Sequence, residues 1–264
     1  MTQVSDAALA IAADKAGIVG SISCSGRKLS WIESEIKKFV KERKHCNFIL
    51  ATGTGNYKDF SVLSLIRTYK PNYLVLLDNE FLNTEIAWKI ILLVRSYGGE
   101  IIYRTSNVDS IKSTLLPDYY TLKGHESAGK FNDKLTTIQM AKIFKKRFSH
   151  LKFICNGGLY TKEEIEKCFD LKASAVEIGT PFAISKESSL ANETKLSIIN
   201  NSEYYTHINN EKSERIHSPN KIYDLKAGVK NIDKGHVFIG KRASELPKTL
   251  RTVEEIAKVL LPNP

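Results

Sequence analysis

Two groups of residues in this chain have the types and spacing that chemistry requires. The first is His125-Glu126-Ser127-Ala128-Gly129-Lys130, where an apolar run over residues 117–122 ends abruptly. His125, Glu126 and Lys130 can each exchange a proton or neutralise an anion. The second is a pair of glycine steps, Asn156-Gly157-Gly158 and Gly179-Thr180. Main-chain N–H groups there are unobstructed by side chains, and helix N-termini nearby add a field that favours a phosphate. Taken one at a time, the ionisable residues read equally well as a solvated turn. The glycines read equally well as turn positions that need unusual φ. Their meaning depends on whether the fold gathers them on one face.

The elements that would position them alternate regularly. Helix-like segments at 5–16, opened by Ser5, and 30–43, with Ser30 and Glu33 as a capping box, flank the apolar run 18–23. Further β-rich runs lie at 48–52, 73–78, 100–106, 119–124, 152–158 and 175–182, most of them separated by a helix-sized segment. Strands that are apolar on both faces and alternate with helices imply a parallel sheet covered by helices. An open doubly wound sheet and a closed (β/α) barrel both fit, and seven regular units favour the barrel. In a barrel the loops after the strands share one face, so both residue groups and Asp78 would lie there. Residues 183–235 break the pattern with Asn, Lys, Glu and Ser, and read as a polar helical insertion or lid within a single domain spanning 1–264. A β-like run at 236–241 and a capped helix at 252–261 close the chain.

Composition narrows the classes. The 42 % hydrophobic and 26 % charged content is that of a globular protein. The net charge of +10 is scattered, with no basic arm or recognition module, so no nucleic-acid partner is expected. Cys24, Cys46, Cys155 and Cys168 lack zinc-site spacing and read as reduced thiols of a cytoplasmic protein. No window approaches the ~18 apolar residues of a membrane span, and the histidines suggest no metal site.

Laid out in order, the strand ends resemble those of the nitronate monooxygenase (2-nitropropane dioxygenase) family and the related flavin-dependent enoyl-acyl-carrier-protein reductase. Met1, Val4-Ser5-Asp6-Ala7-Ala8-Leu9-Ala10 and Ala16-Gly17-Ile18-Val19-Gly20 are similar to the opening pattern of that family. Glu126-Ser127-Ala128-Gly129-Lys130 resembles its Glu-Ala-Gly-Gly-His element. Gly157-Gly158-Leu159, Ala175–Phe182 and Gly240–Ser244 resemble its later glycine-bearing motifs.

The resemblance implies a TIM-type (β/α)8 barrel lacking most of its first strand. It also implies a bound FMN, with the phosphate on Gly157, Gly158, Gly179 and Thr180. The ring would lie near Met1, Gly20 and the 124–130 loop, Gly129 included. The implied activity is oxidation of a nitronate-like or other small anionic substrate with O₂, or enoyl reduction. Lys130 stands where the family carries its catalytic histidine, so Lys130 and His125 are the catalytic candidates. Ala51 and Ile18 also depart from the pattern. The missing strand raises two further expectations: a protein partner or self-association that completes the barrel, and a non-catalytic barrel serving as a subunit. A barrel that takes a phosphorylated substrate without flavin is the third reading.

Overall fold

The computed structural model describes residues 4–43, 47–52, 61–76, 85–111, 117–200, 204–209, 212–217 and 237–261. Met1, Cys46 and Asp78 lie outside them. The first half alternates α1 (Ala7–Lys15), β1 (Gly20–Ser23), α2 (Leu29–Glu42), β2 (Phe48–Thr52), α3 (Ser61–Tyr69), β3 (Tyr73–Leu76), α4 (Glu85–Ser96) and β4 (Glu100–Thr105). There follow β5 (Tyr119–Lys123), β6 (Gly129–Phe131), α5 (Thr137–Arg147), β7 (Phe153–Asn156), α6 (Lys162–Asp170), β8 (Ala175–Glu177) and the short α7 (Thr180–Ala183). The remainder comprises α8 (Asn192–Asn200), β9 (Tyr204–Asn209), β10 (Lys212–His217) and α9 (Val253–Leu260).

Seven strands form one parallel sheet in the order β1-β2-β3-β4-β5-β7-β8. The sheet is curled but open, an incomplete barrel with a seam between β8 and β1. Its helix layer is more nearly closed than its strands. Helix α9 packs against both α1 and α6, bridging the seam from outside. Outward-facing strand residues such as Ile22, Leu50, Leu74, Tyr103, Tyr120, Leu122 and Cys155 pack with the helices in the main core. The inner face has a smaller cluster, Ala51, Val75, Ile102 and Ile154, bordered by half-buried Ile49, Tyr73, Tyr119 and Ala175. A closed barrel buries such inward residues in stacked layers; here the seam leaves several of them partly exposed.

Local signals set several boundaries. Thr136, Thr161 and Thr252 each cap a helix in a full capping box, with Gln139, Glu164 and Glu255 answering. Two expected caps are corrected. Asp6, not Ser5, caps α1 by accepting from the Leu9 N–H, while the Ser5 carbonyl accepts from the Ser23 N–H at 2.9 Å beside the seam. Helix α2 starts before Ser30, after Lys28 and with no side-chain cap, and Glu33 pairs with Lys37 at 2.8 Å. The buried Glu35 carboxylate of α2 instead receives the Ala7 N–H at 2.9 Å, tying α2 to the start of α1.

The polar insertion is only partly helical. Beyond α8, strands β9 and β10 pair antiparallel, and β10 also pairs with β6, giving a three-stranded sheet in the order β6-β10-β9. Polar composition concealed the strand character of Tyr204-Tyr205-Thr206-His207-Ile208, which is rich in β-favouring residues.

Helix α8 also carries a buried cation. The Lys195 ammonium donates to the Ser188 carbonyl at 2.7 Å and to that of Lys186 at 3.4 Å. Burial pushes its pKa down, and the neighbouring Glu187 carboxylate opposes the shift. Below its folded pKa the lysine is charged in both states, and above the unfolded value near ~10.4 it is neutral in both. Between the two the unfolded chain binds more protons, so stability rises with pH across that window. Thermal midpoints measured up to about pH 10 are expected to show this rise in the wild type and its loss in Lys195→Met. An unchanged slope in the variant would assign the effect elsewhere.

Candidate functional site

Parallel strands deliver all their C-terminal ends to one rim. Asn156 of β7 pairs in register with Glu177 of β8, so Gly157-Gly158 and Ile178-Gly179 leave neighbouring strands side by side. Gly157 and Gly158 have φ of 110° and 69°, in the region that favours glycine. A Cβ at Gly157 would come within 2.9 Å of the Ser127 main chain, and one at Gly158 within 2.7 Å of the Glu126 stem. Both glycines therefore let the 124–128 loop lie directly on the loop after β7. Among the described residues, the N–H groups of Gly157, Gly158 and Gly179 have no protein acceptor. Gly157 and Gly179 are half-buried and Gly158 is buried, so these main-chain donors stand together at the rim and are chemically suited to the oxygens of a phosphate.

The surroundings hold this cradle in place. The Thr137 hydroxyl lies 2.9 Å from the Asn156 carbonyl, 3.0 Å from that of Gly157 and 3.4 Å from the Glu126 carboxylate, which accepts the Thr137 N–H at 3.1 Å. The Ser127 hydroxyl donates to the Asn156 carbonyl at 2.8 Å. From the other side the Gly240 N–H donates to the Thr180 hydroxyl at 2.8 Å, and the Lys241 N–H to the Glu126 carbonyl at 3.1 Å. Arg242 donates to the Gly158 carbonyl at 3.0 Å while its guanidinium pairs with Glu164 and Glu245. Those carboxylates, Glu245 first, push the Arg242 pKa further up, so it stays charged at every working pH.

The sequence-derived candidates separate into several places. Gly157, Gly158, Gly179 and Thr180 do meet on the rim. Gly129 follows on the same loop at the start of β6, with φ of 61° and its α-carbon facing the Phe238 ring and the Lys123 ammonium. Gly20 does not join them. It opens β1 at the opposite end of the strand, and a Cβ there would sit 2.7 Å from the Ala10 Cα, so it serves the packing of α1 on β1. His125 stacks edge-on against Phe131, and its Nε2 lies 3.2 Å from the Lys241 ammonium. An ammonium only donates, so Nε2 is the acceptor and the ring proton sits on Nδ1. Lys130 lies in β6, opposite Glu214 of β10 in register and one position away from the buried Phe131. Alternation along the strand puts it on the other face from Phe131 and the imidazole that Phe131 contacts.

The barrel interior holds a polar group that sequence reasoning did not single out. Tyr103, Tyr120, Leu122 and Val176 pack outward, so Arg104, Thr121 and Glu177 point inward. Arg104 of β4 pairs with Glu177 of β8 across the two intervening strands. Thr121 stands beside Arg104 in register and is fully buried. Neither the Thr121 hydroxyl nor the Arg104 Nε has a partner among the described residues. Lys123, one inward position above Thr121, donates to the Ala128 carbonyl at 2.7 Å. The available signal was parity: a charged residue at an inward position of an otherwise apolar parallel strand.

No protein-family model and no curated protein matches the sequence. Solved structures do match in shape. FabK from Thermotoga maritima superposes with a TM-score of 0.82 at 16 % identity, over 98 % of this chain and 89 % of that one. A nitroalkane oxidase from Streptomyces ansochromogenes gives 0.76 at 14 % identity, over 98 % and 92 %. The enoyl reductase domain of MlnA from Bacillus amyloliquefaciens gives 0.66 at 10 %, over 87 % and 65 %. At such identities the likeness concerns the fold: this chain shares the architecture of these three proteins.

Proposed function

We propose that the chain binds FMN non-covalently at this rim and acts as an oxidoreductase on a nitronate-like or other small anionic substrate, with O₂ as the final electron acceptor. The observation that carries this reading is the set of unpartnered N–H groups of Gly157, Gly158 and Gly179. They stand on a fold shared with an enzyme described as a nitroalkane oxidase. Those N–H groups and the Thr180 hydroxyl would hold the phosphate. The Glu126 stem fills the Cβ side of Gly158, so the phosphate meets the N–H side of the cradle. When bound, the flavin supplies a two-electron acceptor that no side chain can replace.

The protein's own part is to bind, orient and move a proton. His125 is the better candidate for proton transfer, because a neutral imidazole offers both an acceptor nitrogen and an N–H donor, whereas an ammonium only donates. Its Nε2 becomes available when the exposed Lys241 ammonium swings away. Lys130 supplies fixed positive charge on the neighbouring strand. An enoyl reductase-like use of the same site is the alternative, and the test separates the two. Flavin-loaded protein, mixed without oxygen with propyl-2-nitronate or with NAD(P)H, is expected to bleach rapidly with the nitronate and to recover its colour on adding air. Bleaching by NAD(P)H alone would favour the reductase; bleaching by neither would overturn the oxidoreductase assignment.

The open seam supports a second reading, a barrel that serves as a subunit completed by another polypeptide. Among the described residues β1 and β8 each pair with a sheet strand on one side only, which is costly unless the other edge is covered, and Val19 just before β1, Phe169 of α6 and Val259 of α9 are exposed apolar residues. A flavin-free protein isolated in a stable stoichiometric complex would favour that reading.

A further inference from the structure

Arg104 and Glu177 face each other across the interior as the first oppositely charged pair below the rim. The pair satisfies only part of what is there. A guanidinium carries five N–H donors in a rigid fork, yet Arg104 spends one amino group on Glu177 and leaves Nε without a partner. The Thr121 hydroxyl beside it is buried and also lacks a partner among the described residues. Arg104 is less exposed than Glu177, 16 % against 33 % at the side chain, so the carboxylate is the more accessible member of the pair. Lys123 stands above on the next inward position of β5, so two cations and the Glu177 carboxylate lie toward the rim end of the interior, while Glu100, inward at the start of β4, is engaged by the Tyr119 hydroxyl at 3.2 Å.

We propose that Arg104 and Thr121 form a recognition site for a planar monoanion with two oxygens, a carboxylate or a nitronate. In this proposal Glu177 is an internal competitor that such a ligand displaces. One ligand oxygen takes the guanidinium edge that Glu177 vacates; the other takes the Thr121 hydroxyl. The hydrogen bond from the guanidinium is charge-assisted, and the Thr121 hydroxyl fixes the orientation of the second oxygen. Glu177 meanwhile keeps the buried cation paired when no ligand is present, which avoids the cost of an uncompensated buried charge. This assignment deepens the substrate class of the proposed oxidoreductase, but its test does not need the flavin.

The experiment is calorimetric titration of flavin-free protein with acetate and with propyl-2-nitronate, using inorganic phosphate as a control for the glycine cradle. Glu177→Gln, nearly the same size, is expected to bind both monoanions about tenfold more tightly than the wild type. Thr121→Val is expected to weaken them several-fold. The double variant Arg104→Gln/Glu177→Gln, which buries no unpaired charge, is expected to lose them while still taking phosphate. Weaker or equal binding by Glu177→Gln would make Glu177 a positioning residue and overturn the displacement. Undiminished binding in the double variant would overturn the site. If the monoanions bind as described and no flavin is ever taken up, the site stands and the flavin assignment falls.

Discussion

Gly157→Ala is expected to be strongly destabilising. At φ of 110° any L side chain is strained, a cost of about 1–3 kcal/mol. The added Cβ would also press on the Ser127 hydroxyl and lie 2.9 Å from the Ser127 N and Cα. Those atoms are main chain and cannot rotate away, which adds about 1–3 kcal/mol of overpacking. The variant should therefore lose about 2–6 kcal/mol of stability in urea unfolding. What remains folded should have the 124–128 loop lifted from the cradle and no measurable affinity for FMN. An alanine variant with wild-type stability and wild-type flavin content would mean that this loop contact is not what shapes the site.

Arg242→Met should destabilise as well. The guanidinium joins the chain after β10 to the cradle by donating to the Gly158 carbonyl, to Glu164 and to Glu245, with the Tyr160 ring 5.4 Å away. Methionine keeps the stem and removes every donor. Glu164 retains the Tyr160 N–H at 2.7 Å and the Thr161 N–H at 3.1 Å, so α6 stays capped. The Gly158 carbonyl loses its Arg242 donor, and the exposed Glu245 carboxylate loses its guanidinium. Hydrogen bonds to charged groups are worth roughly 1.5–3 kcal/mol when buried, and partial exposure reduces this to about 1–2 kcal/mol here. FMN affinity should fall roughly tenfold, in proportion to the lost rigidity of Gly158. Arg242→Lys should recover little, since an ammonium cannot reach three acceptors in the same plane. Full recovery by lysine would show that charge alone, rather than the planar fork, holds the cradle.

The local parts of this architecture were readable before the coordinates. Seven parallel strands, the helices between them and the capped terminal helix follow from short-range patterns, whereas the caps expected at Ser5 and Ser30 fell on Asp6 and Lys28. The meeting of Gly157, Gly158, Gly179 and Thr180 was readable too, because parallel strands place successive C-terminal ends on one rim whatever their side chains. Pairings made only by tertiary closure were not readable. Arg104 and Glu177 stand on strands separated by two others in the sheet, and nothing near either residue names the other. The β9–β10 hairpin was hidden because its strand pattern is embedded in polar sequence and is completed by β6, far earlier in the chain. Gly20 could not be placed from sequence, since a glycine at a strand start serves a ligand or a helix contact equally well; in the structure it packs against Ala10 of α1.

Whether the rim holds a flavin is decided most directly by the absorbance spectrum of the purified protein, taken native and again after heat release of any ligand. The proposed function requires the paired flavin bands in the visible and near-ultraviolet, and an equimolar amount of FMN in the released fraction. A colourless protein that takes up no FMN on incubation would contradict it. The N–H groups of Gly157, Gly158 and Gly179 would then belong to the site of some other phosphate.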